Sequence, residues 1–140
     1  MASCFIISLG SNLPIAEAEA KLAAAQSFLR DLLSDDILFS SQYSTPGVGS
    51  GVGKTYVNSV AFGLTSLTEE QIIPALKAYE IDNGRDLETK RQGIVPIDID
   101  LLIFGENIIK PRDLSQSYVT RGLREIKTTV SKLSNYIFSI

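Results

Sequence analysis

The 140-residue chain has no histidine, no tryptophan and a single cysteine. Without histidine there is no Ser-His-Asp triad, no histidine general base and no His-ligated zinc. The one thiol, Cys4, excludes an internal disulfide and a thiolate metal cluster, and it suits a reducing cytoplasm, the expected compartment. Set in an apolar stretch, Cys4 reads as a small buried strand residue. Any metal site must use oxygen donors, which favours a hard cation such as Mg²⁺. Apolar runs stay well short of the ~18 residues of a membrane span, so no membrane partner is expected. The stretch Cys4 to Leu9 has no basic leader and ends at Gly10-Ser11-Asn12, so it reads as a first strand and not as a signal peptide. A net charge of −3, from 13 basic and 16 acidic residues, gives no general basic surface, and no nucleic-acid partner is expected.

What is present is the composition of an ordinary globular chain, 44% hydrophobic and 21% charged. Its length predicts a single domain over 1–140, with no repeat and no dividing linker. A strand is expected at 4–9. A helix over 15–33 follows from Ala18, Leu22, Ala25, Leu29 and Leu32 at helical spacing. A second strand is expected at 36–44 and a third at 56–65, where Tyr56, Asn58, Val60, Phe62 and Leu64 share one face. The next helix starts at Thr68, with Gln71 completing a capping box. It buries Ile72, Leu76 and Tyr79 and stops at Asn83-Gly84. A polar loop from Arg85 to Gly93 leads to a strand at 96–104, and a short helix is expected over 122–133. The order β-α-β-β-α-β predicts an α+β, ferredoxin-like antiparallel sheet with both helices on one face, plus a short C-terminal helical extension.

Four groups of residues stand out. Asp98 and Asp100 share one face of the last strand, about 6.5–7 Å apart. Two aspartates there repel unless compensated, so the pair reads either as a divalent-cation site or as a solvated edge filled from behind by Ile97, Ile99, Leu101 and Ile103. Gly47 to Gly53, leading into Lys54-Thr55, ends like a phosphate-binding P-loop. The next residues, Tyr56 to Leu64, carry an alternating strand pattern and not a helical one, so the glycines read as a mobile loop covering a substrate. Arg85 and Arg91 enter the aspartate strand as solvated cations or as phosphate clamps. Tyr56 and Asn58 put a ring beside an amide that needs partners if buried.

Taken in order, Ser8-Leu9-Gly10-Ser11-Asn12-Leu13, Ser41 to Pro46, Tyr56-Val57-Asn58, Glu80 ahead of Gly84-Arg85, and Asp98 to Gly105 resemble the hydroxymethyldihydropterin pyrophosphokinase family over residues 4–105. The resemblance implies Mg²⁺-dependent transfer of pyrophosphate from ATP to 6-hydroxymethyl-7,8-dihydropterin, releasing AMP, in folate biosynthesis. It also implies Asp98 and Asp100 as metal ligands and Arg85 and Arg91 as catalytic cations. Thr45, Pro46, Val48, Tyr56 and Asn58 would then bind the reduced pterin. Glu80, Arg91, Ile99, Tyr118 and Arg121 would bind ATP, in a monomer or weak homodimer. The chain departs from the family pattern at Leu87 and Val95, where arginines are expected, at Gln92 for a tryptophan, and at Ser117-Tyr118 for a Pro-His step. Leu123 stands where an aromatic is expected. These departures leave two alternatives open: a weak relative that binds pterin or nucleotide without efficient transfer, or a ferredoxin-like interaction module.

Overall fold

The computed structural model describes the backbone of residues 2–47 and 54–139, with side chains as far as residue 131. Along the chain lie β1 (Ser3–Ser11), α1 (Ile15–Leu32), β2 (Leu38–Phe39), β3 (Tyr43–Pro46), β4 (Thr55–Thr65) and α2 (Glu69–Asp82). They lead on to α3 (Leu87–Arg91), β5 (Asp98–Phe104), β6 (Asn107–Ile108), α4 (Pro111–Leu114) and α5 (Ser117–Ser139). All pairings are antiparallel. β1 is central, flanked by β4 and β5; β2 and β3 both pair with β4, and β6 pairs with β5.

Strand alternation sorts the side chains into two cores. Phe5, Ile7 and Leu9 of β1, Val57 and Ala61 of β4, and Ile99 and Leu101 of β5 join Ala18, Leu22, Ala25 and Leu29 of α1 and Ile72 and Leu76 of α2. The helices α1 and α2 therefore cover the same face of the sheet. Each fully buried leucine or isoleucine there contributes about 1.5–3 kcal/mol through lost apolar exposure. The opposite face carries a smaller cluster, Val60 and Leu102 of the sheet with Val119 and Ile126 of α5. The capping box expected at the start of α2 is present: Thr68 Oγ1 accepts from Gln71 N and Gln71 Oε1 from Thr68 N.

Four expectations are corrected. The strand expected at 36–44 is broken into β2 and β3, because Ser40 takes over a ladder position. Its amide donates to Val60 O at 2.8 Å, while its hydroxyl accepts from Val60 N at 2.9 Å. The alternation of β5 is interrupted by a bulge: Ile6 opposes Ile103 and Ile7 opposes Leu101. Leu102 keeps to the Asp98/Asp100 face, in the second core, while the bulge takes Ile103 out of the first core and brings Phe104 against it. The polar loop contains one helical turn, α3, closed by Asp86 and Thr89 bonding each other's amides. The C-terminal helix is 23 residues long and begins at Ser117, earlier than its polar first turn and Gly122 indicate.

Lys54-Thr55 enters a strand, with Gly47 N donating to Lys54 O at 2.7 Å at the base of the β3–β4 hairpin. This is not the strand-to-helix turn that cradles phosphate. Of the expected mobile loop at 47–53, all but Gly47 lies outside the described residues, Val48 included.

Gly122 lets α5 approach the sheet. A Cβ there would lie 2.6 Å from Val60 Cγ2 and 2.7 Å from Tyr43 Oη. Tyr43 donates to Tyr118 O at 2.7 Å and accepts from Gly122 N at 3.1 Å, so it pins the start of α5. We predict that Gly122→Ala lowers the Tm by about 5–10 °C, because overpacking costs about 1–3 kcal/mol. Alanine is the better helix former by about 1 kcal/mol, so an unchanged or raised Tm would show that α5 is not seated this closely.

Candidate functional site

The register of the sheet builds the site. Gly10 of β1 opposes Asn58 on one side and Asp98 on the other, and Ser8 opposes Asp100. These residues share the face on which α5 packs over Val60 and Leu102. A Cβ at Gly10 would come within 3.1 Å of Asn58 Oδ1. Glycine thus keeps the floor open between the amide and the carboxylate. The resulting cleft of about 240 Å³ is lined by Gly10, Thr45, Pro46, Tyr56, Asn58, Val95, Arg85, Asp98 and Tyr118. Asn58 is buried, and its Nδ2 donates to Thr45 Oγ1. That bond answers the question its sequence position raises and holds the amide plane fixed.

Asn12 closes the entrance to β5. Its Nδ2 donates to Gly93 O at 2.8 Å, its Oδ1 accepts from Val95 N at 2.7 Å, and its own amide donates to Val95 O at 3.0 Å. Three bonds from one residue clamp the segment ahead of Asp98 against the end of β1.

The second cleft, about 520 Å³, is more polar. Lys77, Glu80, Arg85, Asp98, Asp100, Lys110, Asp113 and Tyr118 are among its walls. Its shape depends on how α2 ends. Gly84 has φ +115°, Arg85 N donates to Glu80 O at 3.1 Å, and Gly84 N to Ile81 O at 3.3 Å. This is a Schellman stop, which requires the left-handed conformation that glycine adopts without strain. It turns Arg85 back over the helix end, where its guanidinium meets Glu80 Oε1 at 2.8 Å and Asp98 Oδ1 at 3.6 Å. The other Glu80 oxygen accepts from Ile99 N at 2.7 Å. Asp98, Arg85 and Tyr118 border both clefts, so contents of one face contents of the other across Asp98.

The family model described as 7,8-dihydro-6-hydroxymethylpterin-pyrophosphokinase (HPPK) matches residues 6–128. The chain belongs to this family. A 2-amino-4-hydroxy-6-hydroxymethyldihydropteridine pyrophosphokinase of Haemophilus influenzae is 32% identical over 121 residues, covering 85% of this chain and 73% of that protein. The protein of the same name from Pseudomonas aeruginosa is 33% identical over 104 residues, 74% of this chain and 62% of its own length. A folate synthesis bifunctional protein of Chlamydia trachomatis is 36% identical over 105 residues, of which the match covers 23%. The chain thus spans about a quarter of that bifunctional relative.

In this HPPK-family chain the sequence-derived residues separate into three groups. Thr45, Pro46, Tyr56, Asn58 and Arg85 converge on the smaller cleft, and Glu80, Arg85, Asp98, Ile99, Asp100 and Tyr118 on the larger. Arg91 and Arg121 line neither cleft. Arg91 is exposed at the end of α3 and pairs with Glu88 at 3.7 Å, and Arg121 lies over the Tyr43 ring at 4.8 Å. Glu80 is turned inward as a structural acceptor. Among the departures from the family pattern, Leu87 is solvent-exposed, Leu123 packs against the second core, and Val95 lies in the cleft wall. Sequence reasoning missed Lys110, whose Nζ is 2.9 Å from Asp100 Oδ1. Its only signal is a lone lysine ten residues beyond Asp100.

The donors fit a hard divalent cation. Glu80, Asp98 and Asp100 each place a carboxylate oxygen within 4.8 Å of the others, and Glu80 is committed to Ile99 and Arg85. That leaves the two aspartates to hold an ion. Without one, Asp98 is pushed up to about 9, first by desolvation and then by the Asp100 and Glu80 carboxylates. Arg85 does not reverse this, because at 3.6 Å it is already bound to Glu80. Burial raises Tyr118, with its hydrogen bond to Asp113 adding to the effect, so it remains a neutral phenol donating at 2.7 Å.

The Asp98 shift sets the sign of the linkage. Between the ordinary carboxyl value of 3.8 and about 9, the folded state holds a proton that the unfolded state has released. Stability of the metal-free protein therefore falls as pH rises through that window. We predict that Asp98→Asn raises the metal-free Tm at pH 8 and flattens its decline between pH 5 and 9. Parallel declines in both proteins, tracked by calorimetry in chelator, would remove Asp98 as the source.

Proposed function

We propose that the protein catalyses Mg²⁺-dependent transfer of pyrophosphate from ATP to the hydroxymethyl group of 6-hydroxymethyl-7,8-dihydropterin, releasing AMP, in folate biosynthesis. The observation that carries this reading is the pair of clefts meeting at Asp98, the smaller lined by Tyr56 and Asn58 and the larger by Asp98 and Asp100 with Lys77, Arg85 and Lys110. In the smaller cleft Tyr56 offers a ring face and Asn58 a fixed amide edge to the pterin, with Thr45 and Pro46 along its side. In the larger cleft Arg85 meets the phosphates. The hydroxymethyl oxygen, losing its proton to solvent, bonds to the β-phosphorus as the bond from that phosphorus to the α–β bridging oxygen breaks, and AMP leaves with that oxygen. Asp98 and Asp100 would hold Mg²⁺, which when bound supplies charge neutralisation along the triphosphate. The chain's own contribution is alignment: two reactants set in fixed clefts on either side of one carboxylate.

A second reading is favoured by a specific observation. Leu87 points to solvent, Val95 takes a wall position in the smaller cleft, and Arg91 pairs with Glu88 away from both clefts. Fewer cations then meet the transferring phosphoryl group, which fits a protein that binds both ligands with slow transfer.

AMP formation from ATP and the reduced hydroxymethylpterin decides between them. The wild type is expected to form AMP only with Mg²⁺, and Asp98→Ala or Asp100→Ala to lose about 100-fold or more. Leu87→Arg with Val95→Arg is expected to raise the rate, and a large gain from a very slow wild type would favour the second reading. If the wild type forms no AMP and binds no ATP analogue, the pyrophosphokinase reading fails.

A further inference from the structure

Lys110 is a cation placed directly on a candidate metal ligand. Its Nζ lies 2.9 Å from Asp100 Oδ1, inside the larger cleft. The backbone that carries it is anchored, because Ile109 N and Lys110 N both donate to Leu102 O, at 2.8 and 3.3 Å. Pro111 then starts α4 at once. The root of the side chain is therefore fixed in the cleft wall, while the side chain is 44% exposed and its head can swing. Arg85 is held differently: its guanidinium bonds Glu80, whose side chain is 6% exposed and whose other oxygen holds Ile99 N.

The charges of the cleft show what Lys110 does there. Glu80, Asp98, Asp100 and Asp113 face Lys77, Arg85 and Lys110. With Arg85 matched to Glu80, the carboxylate of Asp100 is offset by Lys110. A lysine suits a change of partner, since its ammonium is a compact charge with three rotatable donors on a flexible stem. A guanidinium would grip the carboxylate through two parallel bonds and leave it less readily.

We propose that Lys110 is an exchangeable counter-cation: it neutralises Asp100 while no divalent ion is bound, and turns to the nucleotide phosphates once Asp100 is taken by one. The proposal rests on the pyrophosphokinase reading and adds a residue to it. It has two consequences of opposite sign. Removing the ammonium removes a competitor for Asp100, so a divalent ion alone binds more tightly. It also removes a phosphate contact, so nucleotide binds more weakly when metal is saturating.

The test uses the full chain and Lys110→Met, which keeps the stem and drops the charge, with Lys110→Gln as a second variant should the first fold poorly. Mn²⁺ alone is titrated by calorimetry into metal-free protein, and a non-hydrolysable ATP analogue is titrated separately at saturating Mg²⁺. The variant is expected to bind Mn²⁺ about three- to fivefold more tightly, the scale of one half-exposed ion pair. It is expected to bind the analogue about tenfold more weakly, the scale of one charge-assisted phosphate contact. A purely structural lysine moves both affinities in the same direction or moves neither, and either result overturns the proposal. Wild type that binds both ligands beside an unchanged variant removes only the role of Lys110. Wild type that binds neither brings down the pyrophosphokinase reading as well.

Discussion

The buried carboxylate of Glu80 is the contact on which the geometry of the site depends. β6 pairs with β5 only at Ile103 and Phe104, so among the described residues the edge of β5 beside the aspartates has no partner strand. One Glu80 oxygen takes the Ile99 amide, between Asp98 and Asp100, and the other takes Arg85. Leaving such an amide unpaired would cost about 1–3 kcal/mol. The position is electrostatically awkward, because Glu80 sits in the last turn of α2, where the helix dipole disfavours a negative charge, and two more carboxylates are near. What it supplies is orientation: it locks α2 to the edge of β5 and holds Arg85 over Asp98.

The central strand supplies the second constraint. β1 has β4 on one side and β5 on the other, so its Gly10 lies between Asn58 and Asp98 on the floor of the smaller cleft. The missing side chain at Gly10 leaves that point open. Tyr43, through Tyr118 O and Gly122 N, decides where α5 begins and therefore where the Tyr118 ring closes both clefts. A hydrogen bond at the second sheet face thus sets one wall of the site.

Charge is arranged unevenly around this scaffold. Of the acidic groups of the larger cleft, Asp98 and Asp100 are fixed by the sheet and Glu80 by α2, whereas Arg85 follows the Schellman turn and Lys110 precedes α4. Of the departures from the family pattern, Val95 stands in a cleft wall, beside Arg85 and Asp98. Leu87, in the first turn of α3, is exposed. The two arginine losses are therefore unequal in physical terms, since only one alters the surface that a ligand in the clefts would meet.

Sequence alone determined what depends on local pattern. The periodicity of Ala18, Leu22, Ala25 and Leu29, the Thr68–Gln71 box, the Asn83-Gly84 stop and the shared face of Asp98 and Asp100 are properties of neighbours along the chain, so they are legible in the sequence itself. The absence of histidine likewise restricts the donor chemistry to oxygen. Tertiary structure decided what depends on distant partners. The break at Ser40 needs Val60, the bulge at Leu102 needs Ile6 and Ile7, and the early start of α5 needs Tyr43. It also separated arginines that look alike in sequence, placing Arg85 on Glu80 and leaving Arg91 and Arg121 outside the clefts. Lys110 met Asp100 only because the chain turns at Gly105 and returns beside β5. A side chain's type and spacing set what it can bind; the fold sets what lies within its reach.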